Sequence, residues 1–313
     1  MSACLAAMFH YVRDADATPF PGINALRVSD FERQLDLLAE NFDVVDLESL
    51  VDHLDARRPF DRPSAVLTFD DGFVDHYETV FPLLRARGWS GVFFLAGATL
   101  GDAPAVLNVH KAHFLSARLG ADVFESRVLG ALHSSAVRGA GLARTADVYR
   151  YDRDGKSSVK HLLNYELPYE VVDPLLGELF EDAFGAETVF ARSLYLSAAQ
   201  ARDMAAGGMA FGYHTRTHRV MSRLAPEQQR EELAGGVAAI QALSGSANVS
   251  FCFPYGHRHT FDDGTLSLLQ ELGFSCAFST ERRLIAPAME HRFALPRFDT
   301  RDLPPFYQAF PHA

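Results

Sequence analysis

Short apolar runs, each followed by a segment of helical period, recur along the chain, and this rhythm restricts its fold more than any other feature. The stretches "CLAAMFHYV", "FDVVDL", "SAVLTF", "SGVFFLAG", "MAFGYH", "VSFCFPYG", "FSCAFST" and "RFALPRF" read as strands. Between them, "VSDFERQLDLLAENF" opens on a Ser29 or Asp30 cap and sets Phe31, Leu35 and Leu38 on one face. "ESLVDHLDARR", "DHYETVFPLLRARG", "LSAAQARDMAAGG" and "DDGTLSLLQELG" are further helices, and "APEQQREELAGGVAAIQALSG" reads as one helix with Pro226 in its first turn. Strands separated by helices imply parallel βα units, hence an α/β fold that is either doubly wound or closed into a barrel. Residues 101–196 break the rhythm, with "NVHKAHFLSARLG" and "KHLLNYELPYEVVDPLLGELFEDAFG" around a polar middle. We therefore expect a single domain over 1–313 with a mostly helical insertion at 101–196, sitting over the end of the sheet where loops carry function.

In "AVLTFDDGF", Asp70 and Asp71 stand side by side directly after a strand, so each raises the other's cost of ionisation. A surface turn would tolerate that. A metal ion with a proton acceptor beside it would use it. In "FGYHTRTHRVM", His214 and His218 follow another strand, and their four-residue spacing lets two imidazoles face one point. Both clusters fall at the carboxyl ends of strands, where sheets and barrels of this class build their sites. A third strand ends in "FCFPYG", where Pro254, Tyr255 and Gly256 make a turn that can aim the Tyr255 N–H at a developing oxyanion, or simply carry the chain out of the core.

The 29 Lys and Arg against 40 Asp and Glu leave a formal net charge of −11, which argues against nucleic acid as a partner because phosphate neutralisation needs clustered cations. Three cysteines, Cys4, Cys252 and Cys276, offer no disulfide framework and fit a reducing compartment. The start "MSACLAAMFHYV" lacks a basic n-region, and no run approaches the roughly 18 apolar residues of a membrane span. A cytoplasmic protein without a transmembrane segment is expected. Nothing in the composition fixes an oligomeric state.

Taken together and in this order, "TFDDG", "HTRTH" and "FPYG" resemble the polysaccharide deacetylase family (NodB homology domain, carbohydrate esterase family 4), over roughly residues 5–100 and 197–300. The resemblance implies a distorted (β/α)7-type barrel that removes N- or O-acetyl groups from glycans with a divalent metal. Zinc is the first expectation, and cobalt, nickel or iron also suit two imidazoles and a carboxylate. Carried over by motif, Asp70 resembles the general base, and Asp71, His214 and His218 the metal ligands. Two departures stand out. Cys252 occupies the place of an Arg that orients the base, and Arg297 in "ALPRFD" is offered as its substitute. The late Leu-x-His motif that supplies the acid is missing, but His10 closes the first strand, as the acid does in a circularly permuted subgroup resembling deacetylases of exported poly-N-acetylglucosamine.

The expected catalytic set is therefore Asp70, His10, Tyr255 and Arg297. The expected substrate is an acetylated sugar or polysaccharide, with surface-polysaccharide and lipopolysaccharide precursors among the options. The alternatives are a related hydrolase of a formylated sugar or cyclic amide, and a silent glycan-binding protein on the same fold. His110, His113, His257 and His259 fit a groove wall or a partly exposed surface equally well.

Overall fold

The computed structural model describes residues 3–134 and 157–311, so the polar middle of the insertion at 135–156 lies outside the described residues. Among the described residues eight strands form one parallel sheet: β1 (Cys4–Phe9), β2 (Asp43–Val44), β3 (Ser64–Phe69), β4 (Val92–Leu95), β5 (Ala210–Tyr213), β6 (Ser250–Cys252), β7 (Cys276–Phe278) and β8 (Phe298–Asp299). Seven run side by side in the order β7-β6-β5-β4-β3-β1-β8, and β2 pairs with the first residues of β3. Residues 292–299 join the two edges. Leu295 exchanges hydrogen bonds with Ala277 and Ser279 beside β7, and Phe298 and Asp299 pair with β1. The result is a distorted (β/α) barrel.

Strands β1, β3, β4, β6 and β7 are buried along their whole length and mostly apolar because both of their faces are covered. Successive side chains point opposite ways, and the two sets enter different clusters. Leu5, Ala7, Phe9, Leu67, Phe69, Phe93 and Phe211 face the helices. Ala6, Val66, Phe94, Cys252 and Phe278 belong to a second cluster on the opposite face. Phe9, Phe69, Phe93 and Phe211 are register partners on adjacent strands, and their rings follow one another at 5.1, 4.7 and 5.8 Å. This aromatic rung lies just before His10 and Asp70, so dense packing anchors the strand ends that carry the polar groups.

Three expectations need correction. The first long helix is Val28–Asn41 with Arg27 as its cap; Asp30 lies in its first turn and neither Ser29 nor Asp30 caps it. The helix read as continuous from 225 is two, Pro226–Leu233 and Gly236–Ser244, broken at Gly235 with φ 74°. A Cβ on Gly236 would fall 2.4 Å from the Tyr213 ring, so the second helix lies against β5 only because glycine stands there. The last strand is just Phe298–Asp299, since Pro296 cannot donate to a ladder.

Between β4 and β5, helices Asn108–Leu119, Tyr169–Phe184 and Glu187–Leu194 build an apolar cluster of their own around Phe114, Leu163, Leu176 and Phe180. Tyr11, Ile23 and Phe73 join it from the barrel side, so this layer closes over one end of the sheet. No helix among the described residues is long and apolar enough to cross a membrane.

Candidate active site

Adjacent residues on a strand face opposite sides, so two neighbouring carboxylates reach one cleft only where the chain leaves extended geometry. Asp70 still donates its N–H to Phe9 as the last rung beyond β3. Asp71 then turns into the left-handed region at φ 76° and Gly72 follows at 65°, where a Cβ would strike Leu95 at 2.5 Å. Thr215 (φ 59°), His218 (φ 60°) and Tyr255 (φ 64°) share that costly backbone, and among the described residues Arg57 is the one other such residue, away from this end of the barrel. Left-handed non-glycine residues cost of order 1–3 kcal/mol each, and they gather where a particular side-chain direction is needed.

The two carboxylates have separate partners. Arg297, only 1 % exposed, donates from Nη1 and Nη2 to the two oxygens of Asp70 at 2.8 and 2.9 Å. Its own fork is held by the Ser279 carbonyl at 3.0 Å, Thr68 Oγ1 at 3.1 Å and Cys252 Sγ at 2.8 Å. Burial opposes the charge of Asp70, but Arg297, with His214 and His10, brings its pKa down to about 2. Asp70 therefore stays ionised beside a second anion. Burial pushes the Cys252 thiol well above its usual range, so it remains protonated against the pair.

Asp71 has a different neighbourhood. Its Oδ1 is buried and makes no hydrogen bond, while His214 Nε2 lies 3.6 Å away and His218 Nε2 3.5 Å away. Those separations are too long for hydrogen bonds. They suit donors sharing one ion, because ligands 2.0–2.2 Å from a tetrahedral centre stand about 3.4 Å apart. His214 is aimed by its Nδ1–H, which donates to the Cys252 carbonyl at 2.7 Å. The protonation states also fit: burial lowers the pKa of His214, and burial with His214 beside it takes His218 to about 3. Burial opposes the charge of Asp71 too, but the rings of His110, His218 and His214 hold it well below the usual carboxylate range. One anion and two neutral imidazoles are the forms that bind a cation. A second convergent trio, Asp70, His214 and Cys252, is poorly suited, because Asp70 is committed to Arg297 and the thiol keeps its proton.

His10 is 40 % exposed, with Nε2 3.7 Å from Asp70 Oδ2, and its backbone carbonyl accepts from His76 at 3.0 Å. Tyr255 lines the same cleft, its ring 5.1 Å from that of His218. The cleft holds about 820 Å³ and is also bounded by Asn24, His113, Lys160, His257 and Arg301. All seven residues named from sequence thus meet at one end of the barrel. His110, which the sequence leaves open between groove wall and partly exposed surface, also belongs here: it is 1 % exposed and its Nε2 lies 3.2 Å from Asp71 Oδ2. The "NVHKAHF" helix carried no signal that its first histidine turns inward.

The Arg297 pair carries a direct expectation. Arg297→Gln should lower stability by about 3–5 kcal/mol, the usual cost of leaving a buried partner unpaired. Without the guanidinium, burial raises the pKa of Asp70, so the carboxylate protonates at a higher pH. The acid limb of the rate–pH profile should move upward, with activity partly recovered in alkali. An unmoved acid limb in a folded variant would separate Arg297 from the state of Asp70.

A sequence profile of the family described as Polysaccharide deacetylase matches residues 57–113 and 176–277, just over half of the chain. The poly-beta-1,6-N-acetyl-D-glucosamine N-deacetylase of Escherichia coli K12 is 31 % identical over 102 residues, which cover 32 % of this chain but only 15 % of that protein. Among solved structures, IcaB from Ammonifex degensii overlays with a TM-score of 0.57 at 18 % identity, covering 95 % of this chain and 92 % of that one. Deacetylase PplD from Streptococcus pyogenes, solved with acetate, gives 0.56 at 14 % identity with coverage of 95 % and 92 %.

Proposed function

The chain belongs to the polysaccharide deacetylase family, and on that premise we propose that it is a metal-dependent hydrolase that removes N-acetyl or O-acetyl groups from a sugar or glycan. The observation that carries this reading is the buried, unbonded Asp71 Oδ1 facing two neutral imidazoles, with an ionised Asp70 beside it. Asp71, His214 and His218 would hold the cation. Bound there, a divalent ion supplies Lewis acidity, polarising the acyl carbonyl and bringing the pKa of water from 15.7 towards about 7.

The rest is done by the chain's own groups. Asp70, held in one orientation by Arg297, accepts a proton from the attacking water as its oxygen bonds to the acyl carbon. The Tyr255 N–H is assigned to the oxygen that gains charge. His10, in its protonated form, gives its proton to the leaving nitrogen as the C–N bond breaks, and the products are acetate and a free amine. With the proton on Asp70 passed to His10, 3.7 Å away, both residues regain their starting states. An N-acetylated hexosamine is the proposed substrate, in keeping with the N-deacetylase activity of the Escherichia coli relative and the acetate held by PplD. The proposed compartment is the reducing cytoplasm, on the strength of three buried free thiols.

The test is acetate release from acetylated chitooligosaccharides by the zinc-loaded protein, beside formylated sugars and cyclic amides. We expect acetate, and a rate lower by about 10²-fold or more in His10→Ala with cation content unchanged. Turnover of formylated or cyclic substrates alone would move the assignment to a related hydrolase. Glycan binding without any turnover would make the chain a binding protein. Wild-type rates in His10→Ala would remove its role as the acid.

A further inference from the structure

We infer that His110, locked by Tyr195, is the positioning residue that makes Asp71 a one-oxygen ligand, so that the layer between β4 and β5 sets the cation affinity of the barrel. The inference rests on the proposed metal site. Asp71 Oδ2 can only accept, so His110 Nε2, 3.2 Å away, must carry the proton. In a neutral ring Nδ1 is then the acceptor, and the Tyr195 hydroxyl donates to it at 2.6 Å. The same hydroxyl oxygen accepts from the Leu107 N–H at 3.1 Å, which commits its own proton to His110. Burial pushes the Tyr195 hydroxyl well above its usual range, so that proton stays in place. The chain Leu107 to Tyr195 to His110 to Asp71 is complete, with one direction throughout.

Backbone hydrogen bonds support the same assignment. Residues 194–196 pair with the turn that bears the carboxylate: the Val74 N–H donates to Leu194 and the Leu196 N–H to Gly72, both at 2.8 Å. The Phe73 ring lies 4.8 Å from His110 and fixes its plane from one side. Asp71 thus has one oxygen tied to the inserted layer, and the other, bare and buried, faces His214 and His218. A carboxylate free to turn would present either oxygen or both. This one presents a single oxygen, which is how an outer hydrogen bond raises affinity in ligand shells of this kind.

The experiment measures zinc affinity by competition with a chromophoric chelator, and the visible spectrum of the cobalt-loaded protein, for wild type, His110→Ala, His110→Gln and Tyr195→Phe. We expect His110→Ala to weaken zinc binding by about 10–100-fold and to alter the cobalt bands. His110→Gln, whose amide can donate to Asp71 Oδ2, should recover most of the loss. Tyr195→Phe keeps the shape of the ring and removes one oxygen, so it remains informative if His110→Ala folds poorly; it should weaken binding in the same direction by a smaller factor. Wild-type affinity and an unchanged cobalt spectrum in folded His110→Ala or Tyr195→Phe, with one zinc per wild-type chain, would overturn the inference and leave the metal site standing. A wild-type protein that binds no cation would overturn both.

Discussion

Asp70→Asn should reduce acetyl release by at least about 10³-fold while the cation stays bound. The asymmetry follows from where the two carboxylates spend their oxygens. Both oxygens of Asp70 are within 2.9 Å of Arg297, which leaves no donor atom dedicated to an ion. Asp71 keeps Oδ1 free of any hydrogen bond in line with two imidazoles. An amide in place of Asp70 preserves shape and one acceptor, but it has no charge with which to take a proton. Arg297 then lacks its counter-charge, so the variant should melt lower, and cation content is to be read on the folded fraction. Unlike Arg297→Gln, Asp70→Asn has no carboxylate to restore and should not recover in alkali. Equal loss of cation from Asp70→Asn and Asp71→Asn would show that the two roles have been exchanged.

Removal of the cation is the second large effect. Dialysis against a strong chelator should bring turnover to background, and one equivalent of zinc or cobalt should restore it. His214→Ala should weaken zinc binding by at least about 10²-fold, since it deletes one of the three proposed protein donors. The direction of the His214 ring is also set from outside the proposed site, by the Cys252 carbonyl at 2.7 Å. Its loss therefore removes an oriented ligand that a neighbouring side chain cannot replace. Full activity after exhaustive chelation would end the metal-dependent reading.

Much of this architecture was readable in the chain because its signals are local. The apolar runs place most strand cores, with β3 matching "SAVLTF" in full. Asp70 with Asp71, and His214 with His218, are each compact in sequence, and both sit at strand ends. Other features depend on contacts between distant segments, which periodicity does not carry. Arg297 was nameable as a residue at the end of the last strand, but its two-pronged grip on Asp70 arises only because residues 292–299 close the barrel. His110 lies on a helix of ordinary appearance and Tyr195 just past the end of another, and both acquire meaning through Asp71, which is distant from them in sequence. The left-handed backbone at Asp71, Thr215, His218 and Tyr255 has no local signature beyond the neighbouring Gly72 and Gly256. The break at Gly235 was hidden because a helix with two glycines still scans as one amphipathic run.

The most direct test is anomalous diffraction at the zinc edge from crystals grown with zinc. One strong peak is expected about 2.0–2.2 Å from each of Asp71 Oδ1, His214 Nε2 and His218 Nε2, with Asp70 still paired to Arg297. A peak on Cys252 Sγ and Asp70, or a zinc-loaded protein with no peak between these three side chains, would contradict it.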